Sequence, residues 1–270
     1  MKNLIKQSFR IDRFFIYNAF FIFGASIQQS NFDYININTF IGLFSFILLF
    51  MFQIVINDFN DKETDSFNHK NIFLNKKYKY LGIFYLSFGL LLAYIVGNIF
   101  FQFSLLILFV GILYSQKPFR LKRYFPISNI LLGLYTGLSF FIAYFLTHSF
   151  DSLNIDIVSL FIMIILYFSI VSIIKDFKDF NGDFKENIYT LPVILFKYFG
   201  LSENQQKNIF NIMYFFLLSF ISLYFSLSYL MITILMILYG LFIYTNEKYS
   251  IIILTLTGWI IFFNLFMSIK

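Results

Sequence analysis

Long uncharged stretches alternate with short charged ones along this chain, and the stretches have the lengths of membrane crossings. A hydrocarbon core about 30 Å thick needs roughly 20 apolar residues of helix. Phe14 to Gln29 and Thr39 to Ile56 are the first two such runs. Tyr80 to Tyr114 is uncharged for 35 residues, too long for one crossing, and the Gly97-Asn98 step divides it in two. Tyr124 to Phe150 and Ile157 to Ile174 follow. Asn208 to Asn246 is again double length, with Ser226-Leu227-Ser228 as the break, and Tyr249 to Ile269 is the last run. The pattern predicts an all-α polytopic membrane protein with nine spans in a single domain over residues 1–270.

Composition agrees with that reading. Of the 270 residues 59% are hydrophobic and 13% charged, whereas a soluble domain is about half apolar and a quarter charged. The absence of cysteine excludes disulfides, thiolate chemistry and Cys-based zinc sites. A net charge of +6 raises the question of an anionic partner. Nineteen of the 20 Lys and Arg fall on one side of the nine spans. That asymmetry places the N-terminus and the four loops on that side in the cytoplasm. It also explains the charge as topology, so no nucleic-acid partner is expected. The membrane expected is the cell (inner) membrane.

The same face carries two acidic groups with one spacing. Asp58, Asp61 and Asp65 follow the second span, and Asp176, Asp179 and Asp183 follow the sixth. Positions i, i+3 and i+7 share one face of an α-helix, so each group predicts a row of three carboxylates. Rows of hard oxygen ligands suit Mg²⁺, which binds through few carboxylates together with substrate phosphates. Solvated loop helices balanced by lysines would also produce such acids, but identical spacing at two membrane exits on one side favours a shared ligand. Between them runs Tyr114-Ser-Gln-Lys-Pro-Phe-Arg-Leu-Lys-Arg123. Its Lys117, Arg120, Lys122 and Arg123 suit phosphate oxygens as well as membrane anchoring.

These three segments resemble the UbiA superfamily of intramembrane prenyltransferases. Asn57, Asp58, Asp61 and Asp65 match the family pattern NDxxDxxxD. Asp176, Asp179, Gly182, Asp183, Thr190, Leu191 and Pro192 match DxxDxxGDxxxGxxTLP, with Asn187 in place of the later Gly. Tyr114, Ser115, Pro118, Arg120, Lys122 and Arg123 match YSxxPxRxKR. Where many relatives continue the first motif with NxPxRP, this chain keeps only Asn68. Asn is the non-Gly residue that best tolerates a left-handed backbone, and Gly182-Asp183 is read as a turn before a helix opened by Thr190-Leu-Pro192.

The resemblance implies a bundle of nine transmembrane helices around a central cavity, capped by cytoplasmic helical loops. It implies Mg²⁺-dependent transfer of a prenyl chain from an isoprenyl diphosphate to a lipophilic acceptor. A quinone precursor or a glycerol-phosphate lipid is the expected acceptor, with porphyrin tails and carotenoids as further classes. The six aspartates would hold Mg²⁺, with Asp58, Asp61, Asp179 and Asp183 nearest the chemistry. Asn57, Lys117, Arg120, Lys122 and Arg123 would hold the diphosphate, and Tyr114 and Asn68 would complete the site. A terpene cyclase or carotenoid elongase would use the same metal–diphosphate site. A non-enzymatic carrier fits less well, because every span interior lacks Asp, Glu, Lys and Arg.

Overall fold

The computed structural model describes residues 7–8, 11–27, 36–67, 74–224, 257–258 and 260–261. Among the described residues every regular element is helical, and the one β-type contact is an isolated bridge between Tyr124 and Tyr189. The helices are α1 (Ile11–Ser26), α2 (Ile37–Asn60), α3 (Lys62–Phe67), α4 (Lys76–Val96), α5 (Asn98–Ser115), α6 (Ile127–Thr147), α7 (Ile155–Val171), α8 (Ile173–Lys178), α9 (Phe180–Lys185), α10 (Leu191–Phe199) and α11 (Glu203–Tyr224). Among these, α2, α4, α5, α6 and the combined α7–α8 stretch are long and apolar enough to cross a membrane.

Three spans begin in the same way. Asn36, Asn75 and Asn154 each precede a helix in extended conformation and accept a hydrogen bond from the backbone N–H three residues on. An amide side chain there satisfies a donor that the first helical turn leaves without an acceptor. The step expected at Gly97-Asn98 is present: Gly97, at φ 147°, separates α4 from α5.

Helix α6 is the hub, packing against α1, α5 and α7. Two of these contacts depend on glycine. A Cβ at Gly24 of α1 would lie 2.0 Å from the Phe140 carbonyl oxygen, and one at Gly133 of α6 would lie 2.3 Å from the Ile165 carbonyl oxygen of α7. In a bilayer the hydrophobic effect does not hold helix against helix, so backbones approach closely through such small residues. Helices α2 and α4 form a second close pair, in which Ser45 Oγ donates to the Gly89 carbonyl at 2.7 Å. Aromatic rings fill the middle, with Phe21, Phe46, Phe50, Phe100 and Tyr135 in one cluster between α1, α2, α5 and α6.

The structure changes the expected elements near the charged loops. Helix α2 runs four residues past the apolar stretch, so Asn57 and Asp58 lie on the span itself. The sixth span ends at Val171 and resumes as α8 after Ser172. Neither acidic group lies on one continuous helix: Asp61 separates α2 from α3, and Asp179 separates α8 from α9. Gly182 and Asp183, expected in a turn, are inside α9. The left-handed residue is Asn187 instead, at φ 52°. The second half of the 208–246 run and most of the 249–269 run lie outside the described residues, so the count of nine spans stays an expectation.

Replacing Gly24 with Ala forces α1 off α6 at the Phe140 carbonyl. We expect a loss of about 1–3 kcal/mol, the usual range for overpacking, read as a lower unfolding midpoint in detergent. An Ala substitution at Gly97, whose Cβ would meet nothing within 4 Å, acts through its backbone strain alone and serves as the comparison.

Candidate functional site

The first acidic group is held by partners from three other parts of the chain. Asp58 is fully buried at the end of α2, where its carboxylate accepts from the Tyr78 hydroxyl at 2.7 Å and from Gln7 Nε2 at 3.1 Å. Asp61 accepts from Arg120 Nη2 at 3.2 Å and is in contact with the Lys122 ammonium. Both bases are themselves buried. Arg120 also donates to the Asn60 carbonyl at 3.1 Å, so its guanidinium clasps the α2–α3 junction. Asp65 is buried one turn further on.

The basic segment folds tightly to reach this junction. Arg120 adopts a left-handed backbone, φ 40°, and Leu121–Arg123 form a single 3-10 turn. Burial first, and then the neighbouring Lys175, pull the pKa of Lys122 down to about 7, against the pull of Asp183 and Asp179. The turn is tied to the second acidic region through backbone bonds. Tyr189 N–H donates to the Arg123 carbonyl at 2.8 Å, and Phe125 N–H donates to the Tyr189 carbonyl at 2.9 Å.

The second group is anchored differently. Asp176 accepts from Asn129 Nδ2 of α6 and from the Lys175 ammonium, both at 3.2 Å. Asn129 also donates to Ser172 Oγ at 2.8 Å and so spans the gap between α7 and α8. Burial raises the pKa of Asp183 to about 7, with Lys175 opposing and Asp176 and Asp179 adding to the rise. Helices α3 and α9 pack together, and the Lys185 ammonium sits 4.7 Å above the Phe67 ring. The two acidic loops therefore share one roof, with the basic turn between them.

Beneath the roof lies a cavity of about 60 Å³ lined by Asn57, Gln53, Tyr114 and Ser115 toward the loops and by Tyr17, Phe50 and Tyr135 among its apolar walls. Asn57 Oδ1 accepts from Ser115 Oγ at 3.0 Å, which fixes the amide at the mouth. Gln53 Nε2 donates to the Ile107 carbonyl at 2.9 Å, and its amide lies where a Cβ at Gly111 would be, 2.3 Å away.

Most of the expected residues meet at this roof. Lys117 does not: its side chain is exposed. Asn68 lies outside the described residues. Among the described residues no three acidic or histidine side chains stand close enough together to hold an ion as placed, since Asp58, Asp61 and Asp176 are each turned to a donor or a base. The chemistry of the donor set fits a metal–diphosphate ligand nonetheless. The carboxylates supply hard oxygens. In the same loops Thr64 Oγ1, Thr190 Oγ1, Arg120 Nε and Arg123 Nε are buried without a hydrogen-bond partner among the described residues, as groups awaiting anionic oxygens would be. The pattern of charges did not single out Tyr78, Asn129 or Lys175. The only sequence signal for Asn129 was an amide in the first turn of a span directly after the basic segment.

Comparison with known proteins identifies the family and the fold. The UbiA prenyltransferase family profile matches residues 17–266. A digeranylgeranylglyceryl phosphate synthase of Methanocaldococcus jannaschii is 29% identical over 173 residues, covering 61% of this chain and 58% of that protein. The synthase of the same name from Methanosphaera stadtmanae is 29% identical over 146 residues, covering 52% of this chain and 51% of that protein. The chain thus spans little more than half the length of these two relatives. The fold is shared with a solved digeranylgeranylglyceryl phosphate synthase structure, at TM-score 0.62 and 22% identity over 99% of both chains. It is shared too with a UbiA homologue from Archaeoglobus fulgidus bound to DMAPP and Mg²⁺, at TM-score 0.61 and 17% identity over 97% of this chain and 98% of that one. With its five apolar helices and this family match, the chain is an integral membrane protein.

Asp183 gives the fold a pH signature. Its folded pKa of about 7 lies above the unfolded value near 3.9, so the native state holds the proton more tightly. In chelator-treated protein this residue's contribution to stability should fall as pH rises from about 4 to about 7 and then level off. Asp183→Asn, neutral throughout, should therefore stabilise the fold by up to a few kcal/mol at pH 8 and by little at pH 4.5. Denaturant titrations at the two pH values check the sign.

Proposed function

Because this chain belongs to the UbiA prenyltransferase family, we propose that it transfers a prenyl chain from an isoprenyl diphosphate to a lipophilic acceptor within the membrane, in a Mg²⁺-dependent reaction. The observation that carries this reading is the stacking of the two acidic loops and the basic turn over one apolar cavity. The acceptor is a glycerol-phosphate lipid, as the names of the two curated relatives support. The architecture is one domain of nine spans around a central cavity. The loops face the cytoplasm from the cell membrane, as the placement of nineteen of the 20 basic residues supports.

In this reading Asp58, Asp61, Asp65, Asp176, Asp179 and Asp183 hold Mg²⁺. Held there, Mg²⁺ would supply positive charge against the departing diphosphate. The residues of the chain do the rest. Arg120, Lys122 and Arg123, with Asn57 at the mouth, bind phosphate oxygens and keep the donor's allylic carbon at the top of the cavity. Arg suits this work because its fork of donors contacts two oxygens at once. Thr64 and Thr190 add hydroxyl donors, and Lys117 attracts the donor from the exposed rim.

The donor's C–O bond breaks toward the diphosphate and leaves an allylic cation facing the cavity. There the rings of Tyr17, Phe50 and Tyr135 present negative faces to that cation, and the apolar walls exclude water that would capture it. The acceptor oxygen forms the new bond to the allylic carbon, and its proton passes to the departed diphosphate. Asp61 already has Arg120 and Lys122 at its carboxylate, so donor binding exchanges partners within a preassembled set of charges.

Asp61→Ala and Asp179→Ala should each lower Mg²⁺-dependent diphosphate release from farnesyl or geranylgeranyl diphosphate by at least about a hundredfold, with the protein still folded in detergent. Unchanged turnover in both variants would overturn the site. Mass spectrometry of the prenylated lipid identifies the acceptor.

A further inference from the structure

We propose that the Tyr135 hydroxyl is the group that seats an oxygen atom of the acceptor, making Tyr135 a determinant of acceptor recognition. The proposal rests on the prenyl-transfer reading and deepens it. Tyr135 projects from α6 into the wall of the cavity, with 6% of its surface exposed. Its hydroxyl is buried and has no hydrogen-bond partner among the described residues.

The other buried tyrosines behave differently. Tyr78 donates to Asp58 at 2.7 Å, Tyr85 meets Ser8 Oγ at 3.2 Å, Tyr144 donates to the Ser152 carbonyl at 3.0 Å, and Tyr167 and Tyr214 meet each other at 3.2 Å. Tyr135 alone among these has an unsatisfied hydroxyl, and it is the one that lines the cavity. A buried donor left unpaired is costly, whereas Phe would keep the same ring without that cost. The ring itself is well held. It meets Tyr17 edge-on at 4.9 Å between centroids and packs against Phe46 and Phe50 at 6.3 and 6.4 Å.

Position and chemistry select the ligand. Side chains on a helix lean toward its N-terminus, and α6 starts just after the basic turn, so the hydroxyl is directed back toward the roof. Phosphate oxygens of the donor have the charged loops, and the prenyl tail has no oxygen to offer. The acceptor is the remaining substrate, and it must carry the nucleophilic oxygen into this space. Gln53 and Asn57, which also line the cavity, each have one amide group engaged, by Ile107 and Ser115, whereas the Tyr135 hydroxyl is buried beside the same cavity and unengaged among the described residues.

The test uses the full chain in lipid nanodiscs, as wild type and Tyr135→Phe. The probes are a prenyl monoether of glycerol phosphate and, as a second oxygenated acceptor, 4-hydroxybenzoate. We expect Tyr135→Phe to raise the KM for one of these acceptors about five- to tenfold, the worth of one hydrogen bond. The donor KM should stay unchanged and the thermal midpoint equal or higher. Equilibrium binding of that acceptor to the catalytically silent protein, with Mg²⁺ and inorganic diphosphate, should weaken by the same factor. Equal acceptor affinity in the two proteins overturns the proposal and assigns the hydroxyl to water. So does a parallel rise in donor KM, or a wild type that binds neither probe. Failure of the prenyl-transfer reading shows separately, as a wild type that releases no diphosphate with any donor.

Discussion

Asp61 is a carboxylate removed from water at the end of an apolar helix, and the shape of the loops follows from the need to neutralise it. An isolated buried carboxylate costs more than the few kcal/mol by which proteins are stable. Arg120 and Lys122 must therefore come to it, and both become buried in doing so. To reach the junction the basic segment takes a left-handed residue at Arg120 and coils into a 3-10 turn. That turn presents the Arg123 carbonyl to Tyr189. The segment after the second acidic group is thereby fixed against the first, and α9 packs on α3. One carboxylate and its two bases thus organise three loops that lie far apart in sequence.

Such a cluster is a poor stabiliser and a good receptor. Buried ion pairs often do no better for stability than apolar residues of similar size, because desolvation offsets their attraction. The roof concentrates buried acids, buried bases and unpaired hydroxyl and guanidinium donors above a cavity walled by rings. Asp183 and Lys122, an acid and a base, are both drawn to about 7 by burial. Groups held that far from their ordinary ranges mark places where a fold sacrifices stability for binding.

The spans were legible because lipid permits so few charges. Their starts were legible too, since Asn36, Asn75 and Asn154 are N-cap residues by type. Asn187 sits in the left-handed conformation where the family pattern has glycine, as its side chain allows. Lys117 shows the limit of reading charge alone: it belongs to the same basic run as Arg120 and Lys122 but stays exposed. Tyr78 and Asn129 show the opposite limit. Each looks like an ordinary polar residue near the start of a span, and its role appears only when α4 or α6 is folded against an acid 20 or 47 residues away. Tyr135 is one aromatic among many until its hydroxyl is compared with those of its neighbours.

The breaks at Asp61 and Asp179 were not legible, because equal spacing on a helix predicts a continuous face and the structure interrupts both faces at the middle acid. The two junctions have nearly the same backbone, φ −101° and ψ 9° at Asp61, φ −94° and ψ 4° at Asp179. Hydrogen bonds to the fourth residue back persist through both, from Asp61 to Asn57, Asp65 to Asp61, Asp179 to Lys175 and Asp183 to Asp179. The outer carboxylates of each group therefore remain set by helical hydrogen bonding, while the middle one sits where the backbone dihedrals leave the helical range. A row of three acids on a rigid helix would hold like charges at fixed separation. Placing the middle acid at a bend frees its direction from that row, and at Asp61 this direction is toward Arg120 and Lys122. The same bend recurs in both loops although the stretches between the acids share only the Phe after the first one, Phe59 and Phe177.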